Sequence, residues 1–213
     1  MKKTLTILIL ILTCELSFSQ TYLTSEVIEK AEFYLKEAVG DSLFKYFELG
    51  PNSYYEYKTK SGKSKWKEIT KGEKTKGTFI NGKNINFVIN HPDFQYPYVR
   101  KTVYVELDTD LNLTREVYID HIPKFLLDNR ISDWLTESEL DSIIKLQNLK
   151  KPIEPISKRL DFNTKTKEYY WIIFNTLYKE KCFSDQEILH INPINGNVIK
   201  HFEERQRKMH CYE

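Results

Sequence analysis

Glycine is scarce in this chain, 7 in 213 residues, and cysteine scarcer still, with 3. No Gly-x-Ser-x-Gly elbow and no glycine-rich phosphate loop occurs. That removes the strand-to-helix serine nucleophile and the nucleotide cradle. No His-x-Glu-x-x-His and no Cys-x-x-Cys spacing occurs either, so the standard zinc arrangements are missing. Asp108 and Asp110 do not make a calcium loop, which needs an Asp-x-Asp-x-Asp-Gly run and a distal Glu. A strong charge of one sign is absent too: the formal net charge is +2, which argues against nucleic acid as a partner. These gaps leave no catalytic residue and no cofactor to name, and the expectation is a protein that is not an enzyme.

Long apolar runs are missing except at the start. Lys2 and Lys3 precede "TLTILILILT" (4–13), which is too short to span a bilayer, and Ser17-Phe18-Ser19 offers small residues for a signal peptidase. Residues 1–19 are therefore read as a signal peptide, with Gln20 first in an exported chain, periplasmic or secreted. The rival is lipoprotein processing at Cys14, where Thr13 is a poor match to the small residue that precedes a lipidated cysteine. Loss of Lys2, Lys3 and Glu15 takes the charge to +1. No second run predicts a transmembrane helix.

Aromatic residues are plentiful, at 14% of the chain, which favours an ordered, strand-rich fold. "SEVIEKAEFYLKEAV" (25–39) carries Val27, Ile28, Ala31, Tyr34, Leu35 and Ala38 on one helical stripe, with Gly40 as terminator. "SLFKYFELG" reads as a strand or as a prolongation of that helix. "SYYEYKTK" reads as a strand after the turn Gly50-Pro51-Asn52. Residues 58–83 hold nine lysines and read as a solvated hairpin excursion. The sharper reading is a docking surface for an anionic envelope component or an acidic partner. Strands are expected at 84–90, 102–108 and 113–119. "LTESEL" predicts a second helix, with Thr136 as N-cap, Glu139 completing a capping box, Leu135 and Leu140 as staple, and Pro152 as terminator. Strands then follow in "PISKRLDF", "EYYWIIFNTLY", "EILHI" and "NVIKHFE"; the second of these, 168–178, is apolar enough to be a central strand buried on both faces, and the last two form a hairpin.

Between "VELDTDLNLTREVYI" (105–119) and "ILHINPINGNVIKHF" (188–202), an offset of 84 residues places Asp108 on Asn192 and Asn112 on Gly196. The shared position after the first strand is expected to need a left-handed backbone, which Gly and Asn tolerate best. The chain thus reads as two helix-then-sheet units, the first longer by the 58–83 segment.

The second unit resembles a PepSY domain over residues 133–204. The capped helix, the "YYWIIF" block and the closing hairpin carry the resemblance. "HINPINGNVIK" is similar to the family's strand, Asp-Pro-x-Thr-Gly turn, strand signature, with Pro193 and Gly196 kept and Asn192 and Asn195 replacing Asp and Thr. The resemblance implies a helix packed on an antiparallel sheet, often in tandem, in exported proteins, with no catalytic residues and an association with restraint of peptidases. The expected architecture is therefore α+β: a signal peptide (1–19), a degenerate PepSY-like unit (20–125) with the insertion 58–83, and a clear one (126–213). The expected partner is a protein, a restrained peptidase being the class the resemblance implies.

Two histidines flank the final turn. With Asn195-Gly196 as a two-residue loop, His190 lies directly across from His201; with Pro193–Gly196 as the loop, they are diagonal neighbours. Both registers put the two rings on one face, opposite Leu189, Ile191, Val198 and Phe202. They are then either exposed strand histidines or the start of a metal or catalytic site short of its other ligands. Cys182 and Cys211 are expected to meet at the open end of the hairpin as a disulfide worth about 2–4 kcal/mol; two free thiols are the alternative.

Overall fold

The computed structural model describes residues 20–207. The elements are α1 (Thr24–Val39), α2 (Asp41–Phe44), β1 (Phe47–Leu49), β2 (Tyr54–Lys58), β3 (Ser64–Glu68), β4 (Thr78–Ile89), β5 (Thr102–Leu107), α3 (Lys124–Leu127), α4 (Glu137–Leu146), β6 (Ser157–Asn163), β7 (Glu168–Lys179), β8 (Phe183–Ile191) and β9 (Val198–Arg207). The fold is α+β with two antiparallel sheets. One has the order β1-β4-β2-β3 with β5 also on β4; the other is β6-β7-β8-β9. The signal peptide and Cys14 lie outside the described residues, as does Cys211. Among the described residues no helix is long and apolar enough to cross a membrane.

Two compact units emerge, and they do not follow chain order. The first holds the described residues up to Glu37, Leu49–Phe87 and Tyr104–Val117. The second holds Ala38–Glu48, Val88–Val103 and the described residues from Tyr118 onward. The chain passes from one to the other within α1, β1, β4 and β5, and again between Val117 and Tyr118.

In the first unit, α1 buries Val27, Ile28, Ala31 and Leu35, the stripe its 3.6-residue spacing predicts. Thr24 fastens its start: the hydroxyl donates to the Thr70 and Glu73 carbonyls at 2.7 and 2.9 Å. Tyr55, Phe79, Ile85 and Phe87 are the largest strand side chains in the core. The lysine-rich segment begins as the exposed hairpin read from the sequence, β2 turning into β3. Its residues Ser64–Glu68 form β3, paired along its length with β2, and its last residues enter β4. Lysine does not prevent strand formation at a sheet edge, where its charge stays in water.

Three expectations need correction here. "SLFKYFELG" is neither one strand nor more of α1: the left-handed Gly40 (φ 79) breaks the helix, a single turn follows, and only Phe47–Leu49 is strand. Residues 113–119 are not a strand; Leu107 and Leu113 make one isolated bridge. The left-handed residue of that turn is Leu111 (φ 60), not Asn112. The Asp108 carboxylate explains the shift. It accepts from the N–H groups of Asp110 (2.9 Å) and Asn112 (2.8 Å), closing a loop one residue shorter than its counterpart.

In the second unit, α4 begins as its sequence predicts. Thr136 Oγ1 accepts from Glu139 N–H, and the Glu139 carboxylate accepts from Thr136 N–H at 2.8 Å. The helix stops at Leu146, five residues before Lys151, so Pro152 is not what ends it. Leu140 and Ile144 pack on Ile173, Leu189 and Ile191 of the sheet, with Ile143, Leu149, Ile156 and Trp171 around them. Each such aliphatic side chain contributes roughly 1.5–3 kcal/mol through burial. Strand β7 is central, as its composition requires.

The closing hairpin adopts neither expected register. Leu189 pairs with His201 and His190 with Lys200. A bulge at His190/Ile191 and the loop Asn192–Asn197 produce this one-residue slip. Because side chains alternate, the slip sends His190 and His201 to opposite faces. Val198 and Phe202, expected in the core, are 37% and 36% exposed.

Candidate functional site

The turn signature borders a cleft. Asn192 Oδ1 accepts from the N–H groups of Ile194 (2.9 Å) and Asn195 (3.1 Å), and Asn195 Oδ1 accepts from Asn197 N–H (3.0 Å). Gly196 takes φ 74, and a Cβ there would stand 2.4 Å from Ile143 Cδ1. Pro193 is buried and its carbonyl accepts from Leu135 N–H at 2.7 Å, which fastens the turn to the entrance of α4. These bonds account for Pro193, Asn195 and Gly196 as turn formers. They also hold Asn192, Pro193 and Ile194 as one wall of a cleft of about 520 Å³.

The floor of this cleft is aromatic. Trp134 stands 4.9 Å from Tyr169 and 5.1 Å from Phe125, centroid to centroid. Phe94 supports both larger rings from behind, 6.4 Å from Trp134 and 6.1 Å from Tyr169. Edge and tilted contacts of this kind fix ring planes. Tyr169 spends its hydroxyl inside the protein, donating to the His121 carbonyl at 2.5 Å. Burial raises its pKa well above the ordinary tyrosine value, so it remains a neutral donor. The cleft therefore sees the ring rather than the hydroxyl.

The rim carries both signs. Lys124, Arg130 and Lys167 contribute cations; Asp120, Asp133 and Glu168 contribute carboxylates. Lys167 pairs with Asp120 at 2.6 Å and Arg130 with Asp128 at 3.0 Å. No serine, cysteine or histidine lines the cleft among the described residues. Its chemistry is that of contact: flat apolar rings inside and salt-bridging groups at the edge.

His121 sits behind this floor, 1% exposed. Its Nε2 lies 3.1 Å from the Thr102 carbonyl and so carries the proton, while Nδ1 has no partner. Burial, with Arg100 adding to it, pushes its pKa down to about 4. The ring is neutral and stacks on Tyr118 at 5.6 Å.

The two histidines singled out by sequence do not meet. His190 packs between Tyr170 (4.7 Å) and Phe202 (5.6 Å) on the face away from α4. Burial, followed by the Lys200 charge, lowers its pKa. On the other face, His201 Nε2 lies 2.8 Å from Glu187 Oε1. Glu187 is 3% exposed, and its second oxygen accepts from Asn175 Nδ2 (2.7 Å) and Lys150 N–H (2.9 Å). Burial opposes its ionised form, but the bonds from His201, Asn175 and Lys150 prevail and lower its pKa. Both oxygens of this carboxylate are thus committed to the protein, which marks a structural network. Among the described residues no group of three metal-ligating side chains converges.

Sequence reasoning missed the cleft. Trp134 and Tyr169 lie 35 positions apart in the chain, and only the tertiary fold brings them together. The one signal the sequence offers is the Asn192-Pro193 turn, whose residues form one wall of the cleft. Comparison of the chain with known protein families, with curated proteins and with solved structures returns no match.

Proposed function

We propose that this protein is an exported, non-enzymatic binding module, PepSY-like in tandem, that holds a polypeptide segment of a partner in the Trp134–Tyr169 cleft. The observation that carries this is the pairing of a rigid aromatic floor with a rim of mixed charge. Aromatic rings supply large contact area at low entropy cost, and rim charges select orientation. The PepSY resemblance of residues 133–204 adds a class of partner, a peptidase whose activity is restrained. The alternative of a metal site or enzyme built on His190 and His201 loses its geometric basis, because the rings occupy opposite sheet faces.

The test is selection of peptides on the immobilised protein, followed by calorimetric titration. Selected peptides bind the wild type, and Lys124→Glu with Lys167→Glu weakens them without loss of fold. Hydrogen exchange then shows protection at 119–134 and 192–194. Peptides that protect other segments, or hydrolysis of any of them by the purified protein, would defeat the reading.

A further inference from the structure

The β2–β3 hairpin ends in "KTKSGKSK", residues 58–65, with four cations and no carboxylate. Lys58, Lys60, Lys63 and Lys65 are all exposed, and none makes an ion pair among the described residues. Lys67, next along β3, differs: it is paired with Glu73. The tip is a built loop. Thr59 N–H donates to the Lys63 carbonyl (2.9 Å), Gly62 N–H to the Thr59 carbonyl (2.8 Å), and Lys63 N–H to Thr59 Oγ1 (3.1 Å). Gly62, at φ 78, supplies the left-handed residue such a turn needs.

Lysine on an edge strand has an ordinary use, which is to stop edge-to-edge pairing. That explains Lys65 on β3. It does not explain Lys58, which sits on the interior strand β2, or Lys60 and Lys63 in the turn. Lys58 pairs with Ser64 and Lys65 with Tyr57, so the pleat sends their charges to opposite faces and the tip is cationic on both sides. Trp66 shares the face of Lys58, pairs with Glu56 and is 49% exposed.

We infer that this tip anchors the protein on an anionic lipid surface, the four lysines over headgroup phosphates and the Trp66 indole in the interfacial layer. Lysines near such a surface bind by charge, and an indole beside them favours the headgroup level. A nucleic acid would need further rings to stack its bases, and this hairpin tip offers one indole beside its lysines.

The test is sedimentation of the full chain with phosphatidylcholine vesicles, pure or carrying about one third phosphatidylglycerol as the anionic lipid. Residues 4–13 are apolar, so the readout is the preference for anionic over neutral vesicles. Each Lys→Gln change at 60, 63 or 65 lowers that preference about fivefold, and the triple variant about a hundredfold. High salt removes it, and Trp66→Ala weakens binding by a smaller factor. An unchanged preference in the triple variant overturns the inference. So does tighter binding to DNA or to heparin than to the anionic vesicles. Loss of vesicle binding leaves the peptide cleft intact, because Lys58–Lys65 and Trp66 belong to the other compact unit.

Discussion

Two turns align in this chain and end differently. Asp108 and Asn192 occupy the same position, and each side-chain oxygen accepts from two backbone N–H groups further along its loop. After Asn197 the chain runs for ten residues as β9. After Asn112 it makes one bridge, at Leu113, and leaves the sheet. Turn closure is local chemistry, set by one side chain and the peptides beside it. Strand continuation is not local, because it needs a neighbour with free edge groups and a face to bury. Strand β8 offers that edge to β9, whereas Val117 is buried without being paired into a strand.

The comparison is sharpened most by attacking the core that the second turn helps to close. Leu140→Ala should cost about 2–5 kcal/mol, since the side chain is fully buried against Ile173 and Leu189. Urea denaturation measures it, and a cost below that of an exposed control would mean α4 does not seal the sheet. Next comes Glu187. Glu187→Ala strands Asn175, Lys150 N–H and His201, a loss of roughly 3 kcal/mol. Its native pKa is depressed, so its contribution is complete above the unfolded value near 4.5 and is lost as pH falls through the native one. An acid-unfolding curve should therefore lose this component in Glu187→Gln, and an unaltered curve would count against the network.

Smaller effects test the equivalence of the turns directly. Asn192→Ala and Asp108→Ala should each cost about 1 kcal/mol, the usual worth of a side chain satisfying local backbone donors. Thermal melts of the two variants that differ by more than this amount would break the equivalence. Smallest of all, Thr136→Ala should lower stability by about 1 kcal/mol or less as a capping loss, with helix content by circular dichroism falling in step.

These elements also show what could be read without coordinates. The α1 stripe, the capping box at Thr136 and Glu139 and the central place of β7 were legible, because each depends on spacing within a dozen residues. The hairpin register was not. Whether His190 meets His201 or Lys200 depends on a single bulge residue, and no periodicity marks it. The strand expected at 113–119 had the right composition and the wrong surroundings. The cleft was illegible for the same reason as any tertiary site: Phe125, Trp134 and Tyr169 converge from separate elements, and each alone reads as core.

Gly196 has a consequence beyond the turn it forms. Its missing Cβ and the Ile143 Cδ1 methyl compete for the same space, so a side chain at 196 is accommodated more easily once Ile143 has been shortened. Asn tolerates a left-handed backbone, yet Gly196→Asn alone collides with that methyl. Ile143→Val removes the obstacle and leaves Cγ1, which lies 3.4 Å from the added atom. A double-mutant cycle should show the pair less damaging than the sum of its members. The route from one tolerated sequence to the next at this turn therefore passes through helix α4 first.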